Sequence, residues 1–335
     1  MIYPRPIALQ DPARPKGAYR LAAGWCWFDR VELLERGQPS RIVPARDLPP
    51  DVLDRLTGPR AAFAGAALDR PRIMGILNVT PDSFSDGGRY LDPVAAGAQV
   101  QRLLAEGADV LDIGGESTRP GAALVPEADE IARTVPVIAA LRAGGMTTPI
   151  SIDTRKASVA RAALSAGADA VNDVSALTFD AALAGVVAVA GCPVILMHAL
   201  ATPATMQDDP RYGDVLLDVY DALALRIAAA VAAGIARDRI VIDPGIGFGK
   251  TVAHNLALVR GMSLFHGLGL PVMLGASRKR FIGSIGGEAD ARMPGSVAVA
   301  LAGVRQGVQM LRVHDVAETR QALSLWQATS KGEAL

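Results

Sequence analysis

Arg72-Ile-Met-Gly-Ile-Leu-Asn-Val-Thr-Pro-Asp-Ser83 runs from a continuous apolar stretch straight into polar groups. A strand covered on both faces has this pattern, because neither side of its pleat meets water. The same pattern recurs down the chain. Apolar, β-branched runs fall at Asp109–Ile113, Pro149–Ile152, Ala170–Val171, Pro193–Met197, Arg239–Ile242, Pro271–Leu274 and Val308–Val313. Between them lie Ala/Leu-rich segments of helical spacing: Val94–Glu106, Glu127–Leu141, Lys156–Ser165, Val215–Ala233, Gly295–Arg305 and Val316–Trp326. Strands alternating with helices predict a parallel sheet. Eight such units between residues 71 and 335 match a (β/α)8 TIM barrel, which typically takes about 250 residues. An open doubly wound sheet is the alternative, since alternation alone does not show closure. No dinucleotide glycine fingerprint supports it.

Residues 1–70 read differently and are expected to form a separate N-terminal extension, structural in role, before a barrel spanning 71–335. They hold nine of the 22 prolines and two of the three tryptophans. Short strands are expected around Ala18–Ala23 and Trp27–Glu35, with a short helix near Asp51–Leu56.

Lys+Arg and Asp+Glu balance at 34 each, so no global field draws the chain to nucleic acid or anionic lipid. Cys26 and Cys192 have no metal-ligand spacing and read as free thiols in a reducing compartment. Met1–Arg20 lacks the apolar core of a secretory signal. The uncharged run Ala181–Met197 is broken at Gly191-Cys192-Pro193, as a buried helix followed by a buried strand would be, rather than a membrane span. A cytoplasmic protein is expected.

Every apolar run ends in specialised polar residues. Asn78 follows the first and Gly114 to Arg119 the second. Asp153-Thr154-Arg155 follows the third, Asn172-Asp173 the fourth, His198 the fifth and Asp243-Pro244-Gly245 the sixth. Ser277-Arg278-Lys279 follows the seventh and His314-Asp315 the eighth, with Arg312 just inside. A barrel gathers these positions at its C-terminal mouth, where such folds hold their sites. Asp153, Asn172 and Asp243 make a cup of acceptors and amides suited to a flat heterocycle with adjacent N–H groups. Hydrogen bonds to a charged group contribute about 1.5–3 kcal/mol each, enough to anchor a ligand. Arg312, His314 and Arg119 make a cationic set suited to phosphate or diphosphate. Gly245 to Thr251 is not a P-loop, because its first glycine stands one residue too close to Lys250. Lys250 is expected to be a surface charge at a helix start. His254 and His266 are expected to be surface or packing residues, and Asp112, Glu116 and Asp173 to brace loops. The histidines are too scattered for a metal cage. A Mg2+ ion shared with a diphosphate needs only one protein oxygen, which Asn78 supplies.

At these residues the sequence resembles dihydropteroate synthase. The resemblance rests on Asn78–Gly88, Asp112–Gly121, Ser151–Thr154, Val171–Val174, Asp243–Lys250, Ser277–Lys279 and Arg312–Asp315, in that order, and covers residues 71–330. It implies condensation of 6-hydroxymethyl-7,8-dihydropterin diphosphate with p-aminobenzoate to give 7,8-dihydropteroate and diphosphate in folate synthesis. It further implies that Asp153, Asn172, Asp243 and Lys279 bind the pterin, that Asn78 holds Mg2+, and that Arg312 and His314 clamp the diphosphate, with Thr118 touching the same substrate. Phe84, Asp86, Thr118 and Arg119 would lie in two loops shaping the p-aminobenzoate pocket, Asp86 stabilising a cationic pterin intermediate. Family members are commonly homodimers and sulfonamide targets. The chain departs from the family's M-H-M-Q-G pattern after His198, although Met206-Gln207 is retained. Two alternatives share the pterin cup: a pterin-dependent methyltransferase module, which needs no diphosphate clamp, and a non-catalytic pterin-binding paralogue.

Overall fold

The apolar runs form eight parallel strands: β1 (Arg72–Asn78), β2 (Val110–Gly114), β3 (Ile150–Asp153), β4 (Ala170–Asp173), β5 (Val194–Met197), β6 (Ile240–Asp243), β7 (Met273–Leu274) and β8 (Met310–Val313). The computed structural model describes residues 1–79, 93–117, 122, 124–200, 210–286 and 291–331. The strand order is β6-β5-β4-β3-β2-β1-β8-β7, and every neighbouring pair in the ladders is parallel. Ile242 bridges in parallel to Val272, and its N–H donates to Pro271 O at 3.0 Å. This contact joins β6 to the start of β7 and closes the ring. The barrel alternative therefore holds over the open sheet.

Helices α1 (Pro93–Ala105), α2 (Glu127–Ala143), α3 (Ala157–Ser165), α4 (Leu183–Ala190), α5 (Val215–Ala232), α6 (Val252–Arg260), α7 (Arg280–Gly286), α8 (Met293–Val304) and α9 (Val316–Lys331) follow the strands. Side chains of period two divide each strand between two cores. Ile73, Leu77, Leu111, Ile113, Ile150, Ile152, Leu196 and Ile242 face the helices. Met74, Val110, Ala170, Ile195, Val241, Met273 and Met310 belong to a second cluster inside the barrel. Phe63 and Leu68, from the segment before β1, complete that inner layer. Phe63 is 1% exposed and is held by a tight turn in which Phe63 and Ala66 exchange backbone hydrogen bonds. Removing its ring leaves a void in the barrel floor. Phe63→Ala is expected to cost about 3–5 kcal/mol, read from urea unfolding.

The N-terminal residues build a layer of their own. Ile2–Pro6, Arg30–Glu35 and Arg41–Pro44 form an antiparallel sheet with Arg30–Glu35 in the centre, and Tyr19–Arg20 pairs with Trp27–Phe28. A helix spans Pro50–Thr57. The two strands that sequence reading did not anticipate, Ile2–Pro6 and Arg41–Pro44, carry Pro4, Pro6 and Pro44. Edge strands tolerate proline because their missing N–H faces no partner. The layer has its own core around Phe28, Val31 and Leu56. It docks on the barrel's helices: Tyr3 Oη donates to Asp221 at 2.8 Å, and Trp25 Nε1 donates to Val304 O at 2.8 Å. Arg36 spans Asp218 and Asp221 at 2.6 and 2.7 Å.

Cys26 and Cys192 are buried free thiols. Among the described residues, no helix is long and apolar enough to cross a membrane.

Candidate active site

The alternation that sends Val110, Ala170, Val241 and Met310 to the barrel floor sends the residues two places on to the layer above. Those residues are Asp112, Asn172, Asp243 and Arg312, and Asp153 stands beside them on β3. The Arg312 guanidinium spans two carboxylates, with Nε donating to Asp112 Oδ2 at 2.5 Å and Nη2 to Asp153 Oδ2 at 2.6 Å. Asn172 Nδ2 donates to the same Asp112 oxygen at 3.0 Å. Asp243 Oδ1 accepts from Gly245 N at 2.7 Å. Gly275 separates Asp243 from Arg312. A Cβ there would meet Asp243 Oδ2 at 3.3 Å and Arg312 Cδ at 3.9 Å. Polar residues from five different strands thus form one constellation.

Burial dominates the electrostatics. It pushes Asp153 up to about 7, with Arg312 opposing and the nearby Asp112 carboxylate adding to the rise. One cation shared by two buried carboxylates leaves one of them easy to protonate. Burial also raises Asp243, against the pull of the Gly245 N–H, Lys279, Lys250 and Arg312. For Arg312 burial works against the charge, but Asp112 and Asp153 outweigh it and raise the pKa. Among the described residues, no hydrogen-bond partner reaches Asp112 Oδ1, Asn172 Oδ1 or Ser151 Oγ, all buried inside the barrel. Buried acceptors of this kind call for donors from a ligand or water.

One wall of the cup is apolar: Val174, Met197 and Phe248 pack together, with Ala199 against them. Lys279 crosses this wall, its Nζ lying 3.9 Å from the centre of the Phe248 ring. Its stem runs over Gly247, where φ is +83° and a Cβ would sit 2.9 Å from Lys279 Cδ. Only glycine fits both the backbone and the contact. His314 stands two residues beyond Arg312 on β8. Its N–H donates to Ser277 Oγ at 3.2 Å, and its Nδ1 lies 3.1 Å from that oxygen. Burial, with Arg312 and Arg278 adding, pushes its pKa down to about 3, so the ring is neutral. Asn78 ends β1, half-buried and in register with Gly114 of β2.

Two expectations need correction. Lys250 is not a surface charge: it is 3% exposed, and its Nζ donates to Phe248 O at 2.8 Å and meets His198 Nδ1 at 3.0 Å. Left-handed Gly245, Gly247 and Gly249 turn the loop inward beneath it, which spacing alone does not reveal. Asp112 is no mere loop brace, since it joins Asn172 to Arg312 inside the cup. Glu116 and Asp173 do brace loops: Glu116 accepts from Val125 N and Arg155, and Asp173 from Ser175 and Leu177. His266 is buried packing, whereas His254 completes a capping box with Thr251 at the start of α6. Phe84, Asp86, Thr118 and Arg119 lie outside the described residues, as do Met206 and Gln207.

A family model for pterin binding enzymes matches residues 74–314. A dihydropteroate synthase from Neisseria meningitidis serogroup B is 48% identical over 268 residues, covering 78% of this chain and 93% of that protein. The chain belongs to the dihydropteroate synthase family. Among solved dihydropteroate synthases, the Xanthomonas albilineans protein with 4-aminobenzoic acid superposes with a TM-score of 0.75 at 49% identity, covering 81% of this chain and 98% of that one. The same protein in complex with 7,8-dihydropteroate gives a TM-score of 0.72 at 46% identity, with the same coverage. The Yersinia pestis dihydropteroate synthase with a sulfonamide drug complex gives 0.74 at 44% identity, covering 79% and 97%. The match to pterin binding enzymes begins inside β1, so the N-terminal layer precedes it.

Proposed function

We infer that this chain is a transferase of folate biosynthesis that condenses 6-hydroxymethyl-7,8-dihydropterin diphosphate with p-aminobenzoate, releasing diphosphate and 7,8-dihydropteroate. The observation that carries this reading is the inward-facing set Asp112, Asp153, Asn172 and Asp243 beside an apolar wall. Buried carboxylates and an amide in one cup suit the adjacent N–H groups of a pterin ring, which would supply donors to the acceptors left unpaired there. Arg312 now neutralises Asp112 and Asp153. Pterin N–H donors reaching those oxygens would release its guanidinium toward the leaving diphosphate, with His314 at the mouth beside it.

In the reaction the bond between the pterin methylene carbon and the diphosphate oxygen breaks, and its electron pair leaves with the diphosphate. The amine nitrogen of p-aminobenzoate then donates its lone pair to that carbon and loses a proton. The pterin ring delocalises positive charge at the methylene, so cleavage runs ahead of attack. Catalysis of this kind is electrostatic stabilisation and positioning rather than covalent chemistry. Lys279, Asp153, Asn172 and Asp243 orient the ring. The roles proposed for Phe84, Asp86, Thr118 and Arg119 rest on the family resemblance: a p-aminobenzoate pocket, with Asp86 facing the cation. Mg2+ fits the mouth as a hard ion whose ligands come mainly from diphosphate and water. Asn78 would add one neutral oxygen, and the ion would supply charge neutralisation of the leaving group. No group of three His, Cys, Asp or Glu side chains placed to hold a metal occurs among the described residues. Omitting Mg2+ is expected to abolish diphosphate release, and Asn78→Ala to raise the Mg2+ concentration needed for half-maximal rate.

Pterin affinity is expected to fall as pH drops through about 7, because Asp153 then takes up a proton and loses an acceptor. Calorimetric titration with 6-hydroxymethylpterin across pH reads this, and Asp153→Asn should flatten the profile. Folding stability carries the opposite sign. Asp153 is raised in the folded state, so its stabilising contribution is present below the ordinary carboxylate range and lost as pH rises through about 7. A sulfonamide is expected to compete with p-aminobenzoate in the same assay. A cytoplasmic homodimer is proposed on the resemblance and on the two unpaired thiols, and light scattering of the purified chain tests its mass.

A further inference from the structure

Lys250 is a buried cation that the reaction just described leaves without a role. Its Nζ meets three acceptors: Phe248 O at 2.8 Å, His198 Nδ1 at 3.0 Å and His198 O at 3.4 Å. The surrounding backbone is pinned. Asn255 Oδ1 accepts from Gly247 N at 2.7 Å, Asn255 Nδ2 donates to Thr251 O at 2.8 Å, and Tyr212 Oη donates to Gly249 O at 2.8 Å. His198 N donates to Asp243 O at 2.9 Å, and a Cβ on Gly245 would lie 1.9 Å from His198 O. Lys250 therefore joins the end of β5 to the loop after β6, and these two elements flank Asp243. The same loop carries Phe248, the ring beneath Lys279.

The geometry also selects a tautomer. An ammonium has three donors and no acceptor, so it can meet His198 Nδ1 only at a lone pair, which places the ring proton on Nε2. Burial and the neighbouring Lys250 charge push the His198 pKa down to about 3, so the ring is neutral. Burial, with Lys279 adding and Asp243 opposing, brings Lys250 itself down to about 7. Below that pH three donors face three acceptors. The charged or titratable groups facing the pair are Asp243 from β6, Asp218 from α5, Tyr212 from the segment before α5 and Lys279 from the loop after β7, with Arg312 of β8 near Asp243.

We propose that Lys250 is a positioning residue for the pterin end of the site, holding the His198 ring as its Nε2–H tautomer and tying it to the Asp243–Phe248 loop. This rests on the pterin reading above. The chain has four histidines, so long-range 15N–1H spectra of the whole labelled protein at mildly acidic pH can assign each ring. A neutral Nε2–H tautomer at His198 is expected, and an Nδ1–H tautomer overturns the proposal without any variant. Lys250→Met, an apolar side chain of similar length, is expected to give mixed tautomers at His198. It should also raise KM for the pterin diphosphate about tenfold while KM for p-aminobenzoate stays within about twofold. An unchanged pterin KM, or both constants rising together, overturns it. Wild-type protein that turns over no substrate, with His198 still in the Nε2–H form, would sink the pterin reading and not the tautomer.

Discussion

Arg312→Met is expected to cost about 3–5 kcal/mol of folding stability and at least about three orders of magnitude in kcat/KM. Methionine keeps most of the side-chain volume but leaves Asp112 and Asp153 buried with no cation between them. Breaking a buried ion pair from one side is costly because the remaining charge can neither return to water nor find a partner. The loss should be largest above about pH 7, where Asp153 is ionised, and should shrink as pH falls and Asp153 takes up a proton. Urea unfolding at a series of pH values reads the first effect, and diphosphate release reads the second. A destabilisation below about 1 kcal/mol, flat with pH, would mean that the arginine does not carry the charge balance of the cup.

Asp243→Asn is expected to lower kcat/KM for the pterin diphosphate about a hundredfold while leaving KM for p-aminobenzoate nearly unchanged. Asparagine has the same shape and can still accept from Gly245 N through its amide oxygen. Its other oxygen becomes an NH2 group, and a donor then faces the donors of the pterin ring. That unfavourable pair, rather than lost volume, sets the size of the effect. Steady-state kinetics with each substrate varied in turn separates the constants. Equal weakening toward both substrates would place Asp243 outside the pterin cup.

Much of the fold is legible because a strand sealed on both faces must be apolar throughout, and eight such runs alternate with helices. The mouth residues follow from the same rule, since each run turns polar where the barrel opens. Asp112 shows what was readable and missed. It lies two residues after Val110, so period two places it on the inner face once Val110 is known to be there. Nothing local to Asp112 distinguishes that face from the outer one. Lys250 was hidden for another reason. Its burial comes from three left-handed glycines turning the loop back on His198, a contact that links residues 52 positions apart. Phe63 and Leu68 looked like part of an N-terminal extension, yet they complete the apolar floor beneath the cup. No periodicity marks them, because a two-residue plug has none. Pro4, Pro6 and Pro44 masked two strands that are stable only as sheet edges.

Mass-spectrometric detection of 7,8-dihydropteroate tests the central claim most directly. The purified chain is incubated with 6-hydroxymethyl-7,8-dihydropterin diphosphate, p-aminobenzoate and Mg2+. Equimolar dihydropteroate and diphosphate are predicted, with both formed about a hundredfold more slowly by Asp243→Asn at sub-saturating pterin diphosphate. Well-folded protein that binds the pterin but releases no diphosphate would contradict the account.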